Sequence, residues 1–302
     1  MARAESPAHT VSPQASGAVA RRQALSRGSR WLLLGASLVG VAVLGWLAYE
    51  TIDQGASRLS WDFITSYPSR FADRAGLRSS ILGSIWVMAA TIALAFPVAI
   101  GTAVWIEEFA PRNRVLEIVK LNLANLAGVP SIIYGILGLA LFSRFLGLGP
   151  SILAGALTLS LMIMPMTVIA AQEAIKQVPP SVRDGSLALG ATHWQTVQHH
   201  VLPGAMPGIM TGVILAVSRA VGETAALIMI GAFTFIAFDN SVRPWEALQE
   251  DFTTVPIQIY NWTIRPQQAF RQDAAAAIIL LMVAVIGLNL IAAIIRERFR
   301  RE

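Results

Sequence analysis

Six apolar runs, each near the length that crosses the hydrocarbon core of a bilayer, constrain this 302-residue chain more than anything else in it. They lie at 31–49, 80–104, 121–142, 151–171, 205–238 and 274–295. About 20 helical residues cover ~30 Å, and lipid leaves no water to satisfy a bare backbone, so runs of this length dictate helices. Charge agrees, since only 14% of residues are charged, where a soluble domain carries ~25%. The expected fold is an all-α integral membrane protein with six transmembrane helices. Basic residues orient it. With the N-terminus in the cytoplasm, that side carries 14 of the 23 Lys and Arg. The other side carries 8, diluted by nine acidic residues in longer loops, and Arg219 falls within a span. The positive-inside rule then places both termini and the 172–203 segment in the cytoplasm.

Residues 1–30, rich in Ala, Ser, Pro and Arg without periodicity, read as a disordered cytoplasmic tail. The run 31–49 reads as an N-terminal membrane anchor helix. A cleaved signal peptide is the competing reading, but the run is about 19 residues long with no small-x-small site behind it, which favours an uncleaved anchor. The 50–79 and 239–273 segments are expected as external loops, with Trp61, Tyr67, Trp245, Tyr260 and Trp262 suited to the membrane interface. Residues 80–302 form the expected core. Its fifth run, at ~1.5 Å per residue, would measure ~51 Å as one helix, against ~30 Å of hydrocarbon. It either projects or breaks, and Gly222 is the expected breakpoint. Pro130 and Pro165 sit inside apolar runs, where a missing N–H kinks a helix.

Chemistry concentrates around that breakpoint. Ser218, Arg219, Glu223 and Thr224 cluster there, and Arg219 and Glu223, four apart, are expected on one helix face. An ionisable group inside a span costs about 2.5–3.5 kcal/mol on insertion scales, and the usual reason to keep one is a substrate path. The other reading is a self-neutralising pair that locks the helix into its bundle. If the pair lines a path, the planar five-donor guanidinium favours a small oxyanion. Other chemistries are excluded or thin. The chain has no cysteine, hence no disulfide and no thiol catalysis. Its two lysines, Lys120 and Lys176, follow Val119 and Ile175, so the Gly-Lys-Ser/Thr of a P-loop is absent. His193, His199 and His200 share no i,i+4 face and have no carboxylate ligand set, so no metal site is expected. The basic residues are arranged about a membrane, and no nucleic-acid surface is expected.

Between the fourth and fifth runs lies a polar insert, 181–203, reading SVRDGSLALGATHWQTVQHHVLP. Ser181 with Asp184 can cap one short helix, Gly190 breaks it, and Thr192 with Gln195 restarts a second that Pro203 ends. Gly190, nine residues and then Leu202-Pro203 are in register with the cytoplasmic loop of ABC importer permeases, which the insert resembles. The family's Glu-Ala-Ala triplet reads Asp184-Gly185-Ser186 here, and His200 replaces an aliphatic residue. The run SRAVGETAA, Ser218 to Ala226, is similar to the Arg-x-x-Gly-Glu-Thr segment of phosphate-specific permeases. GVPSIIYGILGLALF, Gly128 to Phe142, is similar to their third-span motif, and TTVPIQIYNW before the last span resembles the PstA type.

The resemblance implies a type I ABC importer permease for inorganic phosphate, with Arg219, Glu223, Ser218 and Thr224 along the substrate pathway. Asp184, Gly185, Gly190, Leu202 and Pro203 would form the ATPase-coupling loop. It further implies a plasma (inner) membrane location, a paralogous PstC-type permease partner, two ATP-binding subunits and an external phosphate-binding protein. ATP would be bound by those partner subunits, leaving no cofactor and no enzymatic step on this chain. Sulfate or molybdate remains open as the oxyanion, since a guanidinium fork does not choose among tetrahedral anions. A self-contained secondary transporter is a further alternative, against which stands the absence of a second copy of either motif.

Overall fold

The computed structural model describes residues 14–232 and 244–301. The first thirteen residues of the expected tail, 233–238 of the fifth apolar run, the start of the second expected loop and the Trp245 side chain lie outside the described residues. Among the described residues no strand forms, and one isolated bridge joins Ser151 to Asp251.

The chain divides into two units, Met1–Asp53 and Gln54–Glu302. The first is dominated by α1 (Gln14–Gly55), which starts well inside the segment expected to be a disordered tail. The reason lies in composition: the prolines stop at Pro13, and Ala, Arg and Gln, all good helix formers, dominate residues 14–30. Its candidate span, Leu32–Arg58, leaves large apolar side chains such as Leu38, Leu44 and Trp46 exposed, as lipid requires.

In the second unit α3 (Arg78–Val104) continues through a π turn, Trp105–Phe109. α6 (Ile152–Lys176) is a single helix despite Pro165 in its interior. α13 (Gln268–Arg301) is the last span. The third apolar run is not a straight span. α4 (Arg114–Ala127) meets α5 (Ser131–Gly138), with its π turn Leu139–Phe145, at 100°. Pro130, which has no N–H to continue the ladder, starts the second arm, and the Tyr134 hydroxyl donates to Leu126 O at 2.8 Å across the corner. Each arm rises only ~21 Å, so neither crosses ~30 Å alone. Counted as one broken span, this pair brings the candidate spans to six among the described residues.

α3, α6 and α9 (Leu202–Val221) form the centre of the unit, around two buried clusters. α6 and α9 approach closely because Gly208 and Gly212, one turn apart, face it. A Cβ on either would lie 2.6 or 2.5 Å from the Ala174 or Ala170 methyl. At one end, α2 (Trp61–Thr65), the start of α3, α12 (Val255–Thr263) and the start of α13 enclose a third cluster of Phe63, Leu77, Trp262 and Phe270. Trp262, expected at the interface, is fully buried 5.8 Å from the Phe63 ring. Arg58 there pairs with the buried Asp273 at 2.7 Å. A short α11 (Pro244–Ala247) precedes α12 and buries Ala247.

Candidate functional site: a docking loop and a broken helix

The 181–203 insert folds as two short helices. α7 (Pro180–Ala188) starts with Pro180 in its first turn rather than with Ser181 as cap, because proline presets φ and has no orphan N–H to satisfy. Gly190 terminates it at φ +88°, a left-handed conformation that glycine adopts without strain. The Thr192–Gln195 capping box is present in full and starts α8 (His193–Thr196). Pro203 does not end this second helix. The chain passes through a π turn, Val197–Val201, into α9 with Pro203 in its first turn. The wide turn already disrupts the i−4 ladder, so a missing N–H is tolerated there.

Asp184, Gly185, Gly190 and Pro203 are exposed, while Leu202 is half-buried and packs on the α3–α6–α9 cluster. Exposed apolar groups surround them: Leu189 is 91% exposed, Trp194 58% and Leu187 42%, an unusual set for a polar segment. Beneath this surface the insert is bolted down. Arg183, on the inner face of α7, donates to both Glu108 oxygens from Nε at 3.1 and 3.3 Å and to Oε1 from Nη2 at 2.7 Å. It also donates to Val178 O and Ile175 O at the end of α6, at 2.7 and 3.0 Å. His193 Nε2 donates to Glu108 O at 2.8 Å, its ring edge-on to Phe109 at 5.0 Å. Ser186 and Thr196 hydroxyls, 2.9 Å apart, join the two helices. His199 is engaged with Gln195 O, and among the described residues no three His, Cys, Asp or Glu converge as a metal site.

Sequence reasoning missed Glu107, Glu108 and Arg183. The available signal was two adjacent carboxylates just beyond a span, at a membrane end where basic residues are expected.

The fifth apolar run breaks where expected. α9 ends at Val221, Gly222 is its C-cap, and α10 (Ala225–Ile230) comes next and packs on α5, ending at Gly231 with φ +97°. The break disperses the four candidate pathway residues. Ser218 donates to Asn289 on α13. Arg219 is exposed and points towards α6, where Nη1 lies 3.1 Å from Met166 Sδ. Glu223 no longer continues the helix and so shares no face with Arg219. Its Oε1 accepts from Ala226 N at 3.2 Å, and its side chain lines a crevice of about 10 Å³ with Ser84 and Thr254. The Thr224 hydroxyl turns back to Gly222 O at 3.4 Å. The self-neutralising Arg219–Glu223 pair of the other reading is absent among the described residues. A thioether is a weak acceptor, so the guanidinium keeps most of its five donors for solvent or an anion.

Residues 99–301 match the family described as "Binding-protein-dependent transport system inner membrane component". The chain is 31% identical over 269 residues to the "Probable ABC transporter permease protein YqgI" of Bacillus subtilis, covering 85% of this chain and 90% of that one. It is 30% identical over 265 residues to the "Phosphate transport system permease protein PstA 1" of Mycobacterium tuberculosis, covering 86% and 84%. Among solved structures it resembles a bacterial ABC transporter "involved in the import of the acidic polysaccharide alginate", with a TM-score of 0.60 at 17% identity, covering 92% and 99%. The MetNI methionine ABC transporter is similar at 0.58 and 18%, covering 73% and 96%. At those identities the structures speak for the fold alone.

Proposed function

The chain belongs to the family of binding-protein-dependent transport system inner membrane components, and from that premise we propose how its parts divide the work. It is a permease subunit of an ABC importer of inorganic phosphate. The observation that carries this reading is a near-full-length relationship to permeases named for phosphate transport, with the Arg219 segment and the insert both inside the matched region. We assign phosphate to the exposed Arg219 guanidinium, whose fork suits an oxyanion and which pairs with no carboxylate among the described residues. The anion reaches it from one side of the membrane and leaves on the other as α9 and its neighbours alternate in access.

Work comes from elsewhere. Without a P-loop this chain depends on two ATP-binding subunits, which hold the ATP and dock on the insert's Leu187, Leu189 and Trp194, as a helix fits a groove. A PstC-type paralogue completes the pathway, an external phosphate-binding protein delivers the ion, and lipid covers the remaining apolar faces. No covalent chemistry occurs on this chain. Both termini and the insert face the cytoplasm of the inner membrane.

Two experiments test this. Purified complex in proteoliposomes, with binding protein outside, should import radiolabelled phosphate on ATP hydrolysis, with sulfate and molybdate as poor competitors. Import of sulfate in preference to phosphate would overturn the substrate. Since the chain has no cysteine, a cysteine at the exposed Ser57 should react with an impermeant reagent from outside while one at Gln198 is protected. The reverse pattern would overturn the orientation.

A further inference from the structure

The Trp105–Phe109 π turn lies off the substrate path, and three side chains of the insert, Arg183, His193 and Trp194, meet it. Glu108 is 5% exposed at its side chain and Arg183 21%, so their 2.7 Å pair is largely withdrawn from water. Such a pair is costly to break, because either charge left alone is buried without a partner. The same guanidinium ties Ile175 O in the last turn of α6 and Val178 O just beyond it, so α7, α3 and α6 meet in one side chain. The neighbouring Glu107 takes Lys120 of α4 at 2.7 Å, and the backbone of Glu108 takes His193 of α8. Two adjacent carboxylates thus hold the insert on one side and the first arm of the bent third span on the other. Both carboxylates sit in a π turn, an irregularity frequent at functional sites.

We propose that Glu108 is the positioning residue through which displacement of the insert reaches the membrane-spanning helices. The inference rests on the permease reading. A push on α7 cannot move Arg183 without dragging Glu108 and the end of α3 with it, and it pulls on the end of α6. α6 carries Met166, the neighbour of Arg219, so the path from docking surface to guanidinium runs through two packed helices and one ion pair. Exposed contacts would slip under such a load; a pair shielded from water and held by several charge-assisted hydrogen bonds does not.

The test is phosphate imported per ATP hydrolysed, measured with radiolabelled inorganic phosphate on the assembled complex in proteoliposomes. Wild-type import checks the permease reading independently. Glu108→Gln keeps shape and loses charge, and should assemble, hydrolyse ATP and import about tenfold less phosphate per ATP, in line with losing a charge-assisted hydrogen bond. Glu108→Asp keeps the charge on a shorter arm and should show a smaller loss at full assembly, which also decides the matter if the Gln variant fails to assemble. A merely structural residue would lower the yield of complex and leave the ratio untouched. A wild-type ratio in any variant that assembles overturns the proposal.

Discussion

The insert and the α9–α10 break are both polar regions of an apolar chain, but they treat their charges in opposite ways. At the insert every charge on the inner face is matched: Arg183 uses three of its nitrogens on Glu108 and two carbonyls, and the helix start is capped reciprocally. At the break, among the described residues, the Arg219 guanidinium meets a sulfur and no carboxylate, and Glu223 caps a backbone N–H in a crevice beside Thr254, whose buried hydroxyl finds no hydrogen-bond partner there. A fully satisfied network holds one geometry and transmits force. An incompletely satisfied one leaves donors ready for a transient guest. The first arrangement suits a lever and the second suits a pathway.

The contrast is easiest to break at Arg219. Arg219→Gln should cut phosphate uptake about a hundredfold, the upper end of what losing a charge-assisted hydrogen bond costs, while the complex still assembles, because no ion pair is orphaned. Arg219→Lys should fall nearly as far for want of the fork. Normal uptake by either variant would make the break a packing feature.

Gly212→Leu attacks the rigid region instead, by overfilling the α6–α9 contact. Overpacking costs about 1–3 kcal/mol, so the yield of folded complex should drop and Tm with it, whereas uptake per assembled complex is kept. Gly190→Val forces a β-branched residue into φ +88°, a strain of about 1–3 kcal/mol. It should loosen the ATPase contact and lower coupled transport about tenfold without altering membrane insertion. Co-purification and coupled transport at wild-type levels would remove Gly190 from docking.

The smallest effect is expected at Glu223. Glu223→Gln retains an oxygen to accept from Ala226 N, so uptake should stay within about threefold of wild type, the scale of an ordinary neutral hydrogen bond. A loss as large as that of Arg219→Gln would show that the two charges do pair at some stage of transport.

Much of the molecule was legible because it is local. Gly190 at a helix end, the Thr192–Gln195 box and the break at Gly222 result from backbone rules that act over a few residues, and the structure keeps all three. What misled was treating a run as an element. Pro203 looked like a terminator, but a π turn five residues long absorbs it. Arg219 and Glu223 looked like neighbours on a face that ends between them. The tail looked aperiodic, yet α1 reaches back to Gln14 through a stretch rich in helix-forming Ala, Arg and Gln. Trp262 looked like an interfacial anchor because nothing local reveals Phe63 across the bundle.

By itself the sequence determined the solvent: long apolar runs, few charges and an excess of basic residues on one side commit the chain to helices in a bilayer, since only helices and closed barrels satisfy their backbone there and runs this long without alternation suit helices. It also determined the register of the insert, through glycine and proline constraints on single residues. Only the tertiary structure decided which charges meet. Glu108 and Arg183 are 75 residues apart in sequence and 2.7 Å apart in space, whereas Arg219 and Glu223, four residues apart, part company at a helix break. Hydrogen bonds and ion pairs act over a few ångströms, and which atoms come that close is settled by how helices pack.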